Sequence, residues 1–326
     1  MTAALHAALA FEGATAPNPP VGCVLLDQLG NIIAVAAHQK AGQLHAEALA
    51  IKIARDAGLA DRIHTVVVTL EPCNHHGRTP PCSEAILSTS AKAVVIGMAD
   101  PNPSVEGGGA KHLAEAGLNI SLFDAEQHPA LAQSLKRLIG PFAKRTTLGL
   151  PWVTVKQAIN REGNMLPPVG LKTFTTQSSL KLAHTLRRRA DAIITGSGTI
   201  LADNTHFTVR HVQDFADKHR KLVLFDRRRR ISNDYLETAV RRGFETIFAT
   251  ELETTLRTLA SNGALEVLVE AGPQLTSTVL SSSFWDEHVL ITQAQSLKGE
   301  DSITIRNNTR HLLGHAKEDK HVFGHH

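Results

Sequence analysis

Val66-Val67-Val68-Thr69-Leu70-Glu71-Pro72-Cys73, continued through Asn74-His75-His76-Gly77-Arg78-Thr79-Pro80-Pro81 to Cys82, is the stretch from which the fold can be read. Three consecutive valines form a short apolar run of the kind found in buried strands. Pro72 lacks the N–H that a strand ladder needs and closes the run. A helical pattern begins at Cys82 and extends to about residue 89. The stretch is thus a strand, a turn and a helix with a thiol at each junction, a unit of an α/β fold.

Upstream, residues 45–58 have helical periodicity, with Gly58 as the stop, and open on His45-Ala46-Glu47. One imidazole and two thiolates are ligands that zinc favours, and a catalytic zinc keeps a fourth position open for water. Helix N-termini favour thiolate over thiol. Glu47 falls near such a metal without being needed to complete the set. His/Cys/Cys ligation beside a separate proton-carrying glutamate is the pattern of zinc deaminases. The alternatives are a pair of core thiols, or a closed structural zinc site with His75 or His76 as fourth ligand. His45-Ala46-Glu47, at a helix start 28 residues before Cys73, favours the catalytic reading. Cys23, inside Val21-Gly22-Cys23-Val24-Leu25, reads as a small buried hydrophobe.

Residues 2–12 carry a helical pattern ending at Gly13, and Val21–Leu26 with Ile32–Ala36 reads as a hairpin. Val94–Ile96 is a further strand, and 107–117 a further helix. Strands alternating with helices predict a three-layer α/β domain over residues 1–143. Turn residues between Gly140 and Pro151 predict a linker. A second α/β domain follows over 144–326, with strands at 152–155, 192–195, 222–225, 246–249 and 267–270. Its helices are expected at 177–189, 252–261 and 274–281.

The 326 residues are 42% hydrophobic, and 34 basic against 31 acidic residues leave a net charge of +3. That balance, with aromatics at 4%, argues against a nucleic-acid partner. No apolar run approaches the roughly 20 residues of a membrane span, and Met1-Thr2-Ala3-Ala4-Leu5-His6 does not open a signal peptide. A cytoplasmic location is expected by default. Three cysteines do not make a disulfide framework.

Eight residues separate Cys73 from Cys82, unlike the Pro-Cys-x-x-Cys of cytidine and nucleic-acid deaminases. Glu71-Pro72-Cys73 with His75 through Cys82 closely resembles the deaminase half of the bifunctional riboflavin-biosynthesis deaminase/reductases. So do Pro17-Asn18-Pro19 with Val21-Gly22, His38-Gln39-Lys40-Ala41-Gly42 before His45-Ala46-Glu47, and Asp100-Pro101-Asn102-Pro103. The resemblance implies a cytidine-deaminase-like fold, zinc on His45, Cys73 and Cys82, and Glu47 as general acid/base. It also implies that Asn18, His38, His76 and Arg78 hold a phosphoribosyl-diaminopyrimidinone.

The second domain resembles the family's reductase, which implies a dihydrofolate-reductase-like fold using NADPH. The matches are Lys156 with Ala158, Gly196-Ser197-Gly198-Thr199, Leu201-Ala202-Asp203-Asn204, Phe207-Thr208-Val209-Arg210 and Val269-Glu270-Ala271-Gly272-Pro273. By that resemblance Ala158, Thr199, Asp203, Gly272 and Pro273 meet NADPH, while Lys156, Arg187, Phe207, Arg210 and Glu270 meet the substrate. It also implies a homo-oligomer. The chain departs from the family where Ser-Leu-Asp-Gly is replaced by Asn160-Arg161-Glu162-Gly163 and Trp-Ile-Thr-Ser by Thr173-Phe174-Thr175-Thr176. Leu180, beside Lys181, stands where an arginine is usual, and Thr205 where proline is common. The alternative is a deaminase whose second domain is a redox-inactive scaffold. Arg227-Arg228-Arg229-Arg230 reads either as a clamp for the extra phosphate of NADPH or as a solvated loop.

Overall fold

A computed structural model describes residues 1–74, 80–102, 108–167, 173–295 and 299–308, with the backbone of 320–322. The chain divides into two compact units, Met1–Gly149 and Leu150–His326. The first runs α1 (Thr2–Leu9), β1 (Gly22–Leu26), β2 (Ile32–Ala37), α2 (Ala46–Asp56), β3 (Thr65–Val68), α3 (Cys82–Leu87), β4 (Ala93–Ile96), α4 (Gly108–Glu115), β5 (Asn119–Leu122) and α5 (Pro129–Leu148). Its sheet has the order β2-β1-β3-β4-β5; β1 is antiparallel to both neighbours and the remaining pairs are parallel. The predicted hairpin is present. Its turn is held by Asp27 Oδ1, which accepts from the N–H groups of Leu29 and Asn31 at 2.9 Å each.

The three layers follow from alternation along the strands. Cys23, Leu25, Val66, Val68, Val94 and Ile96 meet Ala50, Ile51 and Ala54 of α2, Ile86 of α3 and Leu113 of α4. On the other face Val24 and Val67 meet Ala4 of α1, while Leu5 and Ala8 pack with Leu135, Leu138 and Ile139 of α5. Gly22 permits the close approach of α1, because a Cβ there would lie 1.9 Å from the carbonyl oxygen of Ala4.

The second unit runs β6 (Trp152–Ile159), α6 (Gln177–Arg189), β7 (Ala192–Gly196), α7 (Ser197–Asp203), β8 (Arg220–Phe225), α8 (Asn233–Arg241), β9 (Phe244–Ala249), α9 (Leu252–Ser261), β10 (Glu266–Val269), α10 (Pro273–Ser281), β11 (Glu287–Thr292), β12 (Ser302–Asn307) and β13 (Lys320–Val322). The sheet order is β13-β12-β11-β6-β10-β7-β8-β9, parallel from β11 to β9. Leu256, Leu259 and Val279 of α9 and α10 cover one face. Leu186, Ile200 and Tyr235 of α6, α7 and α8 cover the other. Among the described residues no helix is long and apolar enough to cross a membrane.

The structure corrects the expected linker. Gly140 and Pro141 do not break the chain but lie buried inside α5, which continues to Leu148. Packing of an amphipathic face outweighs the lost hydrogen bond and the poor local propensity. The helix ends at Gly149, in the left-handed region at φ 64°, and its N–H bonds to the Arg145 carbonyl. Strands β5, β11, β12 and β13 and helices α7 and α8 go beyond the expected elements. In β11 the apolar run is preceded by Glu287 and His288, and β12 alternates polar with apolar residues at the sheet's margin.

Candidate active sites in the two units

In the first unit β3 delivers Thr69 through Cys73, α3 begins at Cys82, and His45 is the N-cap of α2. His45 Nδ1 lies 3.6 Å from Cys73 Sγ and 3.3 Å from Cys82 Sγ. Zinc bonds of about 2.3 Å to sulfur and 2.0–2.1 Å to nitrogen, at the tetrahedral angle, put the donors about 3.6 Å apart. The spacing therefore fits zinc. Among the described residues these three alone form the cluster of potential ligands, all their donor atoms lying within 4.8 Å of one another. The Cys82 N–H also donates to Cys73 Sγ at 3.4 Å. Hydrogen bonds from Cys82 and then His45 lower the Cys73 thiol, and Cys82 is pushed up in turn.

Glu47 is 3% exposed. Burial raises its carboxyl to about 7, its own N–H opposing and the Cys73 charge reinforcing the shift. It interacts with Cys82 but is not in the ligand cluster. A buried carboxyl that changes charge near neutrality suits a proton carrier.

His38 is buried at 2% exposure, and burial lowers its pKa. Its Nδ1 is 3.1 Å from the Leu44 carbonyl, which only accepts, so Nδ1 carries the proton. Nε2 then accepts from Asn18 Nδ2 at 3.1 Å. His38 therefore orients Asn18, whose amide oxygen is left for a ligand. His76 and Arg78 lie outside the described residues. Glu71, read in sequence only as part of a motif, is an anchor: its carboxylate accepts from the N–H groups of Asp100 at 3.2 Å and Ala110 at 3.0 Å. Gly109 is required beside it, since a Cβ would sit 1.8 Å from the Pro72 carbonyl oxygen.

In the second unit the predicted residues gather at the carboxyl ends of the parallel strands, where open α/β sheets bind ligands. Glu270 follows β10. Its Oε1 accepts from Lys156 Nζ at 2.8 Å, and Arg187 grips both oxygens at 2.7 Å. Burial would raise its carboxyl, but Arg187 and Lys156 outweigh that and hold it well below the usual carboxylate range. Ala158 lies two residues beyond Lys156 on the same face of β6. Asp203 and Arg210 are exposed. Phe207, expected at the substrate, has a fully buried side chain with its ring 5.8 Å from the Arg187 guanidinium carbon. It supports Arg187 from the core.

Gly196 and Gly272 are the N-caps of α7 and α10, after the adjacent strands β7 and β10, and Pro273 opens α10. Thr199 Oγ1 is buried without a hydrogen-bond partner, 3.6 Å from where a Cβ on Gly272 would be. A Cβ on Gly198 would meet no atom within 4 Å. Packing does not explain that glycine, and a ligand approaching two helix N-termini does. Thr195 Oγ1 and Asp226 Oδ1, on the same edge, are also buried and unpartnered. The donor set and the open glycines fit a dinucleotide.

The departures from the family pattern have local structural roles. Asn160 Oδ1 accepts from the N–H groups of Glu162 and Asn164 at 3.0 and 3.1 Å and so builds its own turn. Thr176 caps α6 and is itself held by Asp301. Leu180 and Lys181 lie early in α6, with the Lys181 side chain exposed.

Comparison with known proteins finds a match for each unit. Residues 1–98 match the cytidine and deoxycytidylate deaminase zinc-binding region, and residues 151–302 match the RibD C-terminal domain. RibD of Corynebacterium ammoniagenes is 35% identical over 300 residues, covering 91% of this chain and 85% of its own. The chain belongs to the RibD family of riboflavin biosynthesis proteins. The structure of Acinetobacter baumannii RibD is similar at a TM-score of 0.77 and 32% identity, over 92% of this chain and 86% of that one. A Thermotoga maritima structure, described as a diaminohydroxyphosphoribosylaminopyrimidine deaminase/5-amino-6-(5-phosphoribosylamino)uracil reductase, matches at 0.77 and 30% over 92% and 88%. As in other RibD proteins, a cytidine-deaminase-like zinc domain precedes a dihydrofolate-reductase-like domain that uses NADPH.

Two buried histidines give the RibD reductase unit a distinctive acid response. His184 and His288 are each pushed down to about 4 by burial. Arg187, His211 and Arg210 add to the shift at His184 against Glu270, and Arg306 adds to it at His288. Both folded values lie below the unfolded value of about 6.5, so between these limits the unfolded chain binds more protons. Stability should then fall as pH drops from about 6.5 toward 4. Trp152 and Trp285, the two tryptophans, are both in this unit, so urea midpoints followed by their fluorescence test it. A midpoint constant from about pH 7 to 5 would refute the assignment.

Proposed function

We propose that this chain deaminates a phosphoribosyl-diaminopyrimidinone with zinc and then reduces the ribosyl group to ribityl with NADPH, in the cytoplasm. The observation that carries the first step is the His45–Cys73–Cys82 cluster beside a buried Glu47. Zinc, when bound, supplies the Lewis acid that lowers the pKa of water from 15.7 toward about 7. The Glu47 carboxylate takes one proton from the attacking water and passes it to the ring nitrogen, then takes the second proton from the same oxygen and delivers it to the departing amine. Asn18, oriented by His38, presents its amide oxygen to the base edge.

NADPH, when bound, supplies the hydride for the second step. Glu270 holds Lys156 and Arg187 as paired cations that position the sugar and phosphate. Arg210 adds an exposed charge. Arg229 lies over the Phe248 ring at 4.2 Å, and Arg230 donates to Ser197 Oγ at 2.8 Å. Arg227 and Arg228 are exposed in the same run as Arg230, which reaches Ser197, and suit the 2′-phosphate. Arg227→Ala with Arg228→Ala should raise KM for NADPH by about 10-fold or more and leave KM for NADH unchanged. An equal change for both cofactors would return the run to solvated loop.

The test of the whole reading is the purified protein with the phosphoribosyl-diaminopyrimidinone. Ammonia should appear without NADPH, and NADPH should be oxidised only after deamination. Ammonia release with no NADPH oxidation would leave a deaminase carrying an inactive second unit.

A further inference from the structure

We propose that His184 is a positioning residue for the reductase step: its Nδ1 holds the main chain of Arg210 and thereby aims the Arg210 guanidinium at the substrate. The proposal rests on the reading of Arg210 as a substrate contact. His184 is 3% exposed, and its Nδ1 accepts from the Arg210 N–H at 2.9 Å. It precedes Arg187 by one helical turn on the same face of α6. While Arg187 holds Glu270, its remaining nitrogen donates to the Thr208 carbonyl at 3.2 Å. Two neighbouring side chains of α6 therefore grip residues 208 and 210.

The loop needs this grip. Phe207 has a positive φ of 54°, which a bulky residue keeps only where its surroundings over-determine the backbone, whereas Asn204, at 44°, is the left-handed cap of α7. Tyr235 Oη donates to the Thr205 carbonyl at 2.6 Å, and Arg242 meets His206 Nε2 at 2.9 Å. These contacts secure the near side of the loop, and His184 secures the end that carries Arg210. The Arg210 guanidinium makes no hydrogen bond or ion pair among the described residues and is exposed, whereas Arg187, Arg189 and Arg220 are all paired. It is the cation presented outward. An imidazole nitrogen can accept an N–H only when unprotonated, and burial beside Arg187 and Arg210 keeps this ring neutral.

The test compares His184→Phe, which keeps a ring and removes the acceptor, with His184→Asn, whose Oδ1 occupies the place of Nδ1. Both are made in the full-length protein with zinc bound, alone and combined with Arg210→Ala, which retains the N–H. His184→Phe should raise KM for the deaminated substrate about 10-fold, and His184→Asn should restore most of it. The NADPH Kd from fluorescence titration and the rate of ammonia release should not change. Added to Arg210→Ala, His184→Phe should have no further effect on KM. Equal impairment in the Phe and Asn variants, or a full additional rise on the Arg210→Ala background, would overturn the proposal. So would a normal KM in His184→Phe beside a raised one in Arg210→Ala. A normal KM in Arg210→Ala would remove the assignment of Arg210 itself, and the proposal with it.

Discussion

Glu47→Gln should keep its zinc and lose deamination by at least about 10²–10⁴-fold, the usual contribution of a general acid/base. The loss should lie toward the upper end, since the same carboxylate moves protons at several points of one turnover. The amide preserves the shape of a side chain that is 3% exposed, so folding is not the variable. Cys73→Ser and Cys82→Ser should behave differently, losing metal and activity together, because each removes one of three donors. Metal analysis beside an ammonia assay separates the two classes. Zinc lost from Glu47→Gln in proportion to activity would make Glu47 a ligand and remove the proton-carrier assignment.

Glu270→Leu should destabilise the reductase unit by about 3–5 kcal/mol, the cost of stranding buried charge when one partner is removed. Both Arg187 and Lys156 would lose their counter-ion. Domains are typically stable by only about 5–15 kcal/mol, so much of the unit's margin should go, and reductase activity should be lost because Lys156 and Arg187 lose the carboxylate that holds them, while the first unit still deaminates. Adding Arg187→Met and Lys156→Met should restore most of the tryptophan-monitored stability, since apolar residues of similar volume often replace a buried ion pair without loss. It should restore no reduction. If the triple variant instead regains NADPH oxidation, the three charges serve the fold and not the substrate.

The parts legible in sequence were those whose physics is local. Val66–Val68 had to be a strand, and Cys82 had to stand at a helix start; together they bring the two sulfurs to neighbouring junctions. His45 could be placed because a helix pattern began beside it. The long course of α5 was not legible, since Gly140 and Pro141 punctuate the sequence while tertiary packing decides their conformation. His184 was not singled out either. Its partner is a backbone N–H 26 residues away, and no residue type marks such a contact. The one available signal was its place three residues before Arg187 on a helix face. Phe207 is marked in the sequence by motif position alone, and its side chain lies in the core.

The disposition of the three cysteines also bears on how the enzyme ages. Cys23 is sealed in the sheet, while Cys73 and Cys82 have their sulfurs within one cluster and Cys73 is half-buried. With zinc in place both sulfurs are committed as ligands. Once the metal is withdrawn the two sulfurs still lie within 4.8 Å of one another, the arrangement that peroxide or a disulfide reagent converts to a disulfide as the oxidant is reduced. Zinc is thus the preservative of its own binding site, and metal loss in an oxidising setting passes from a reversible vacancy to a covalent lesion that a reductant must undo before zinc can return.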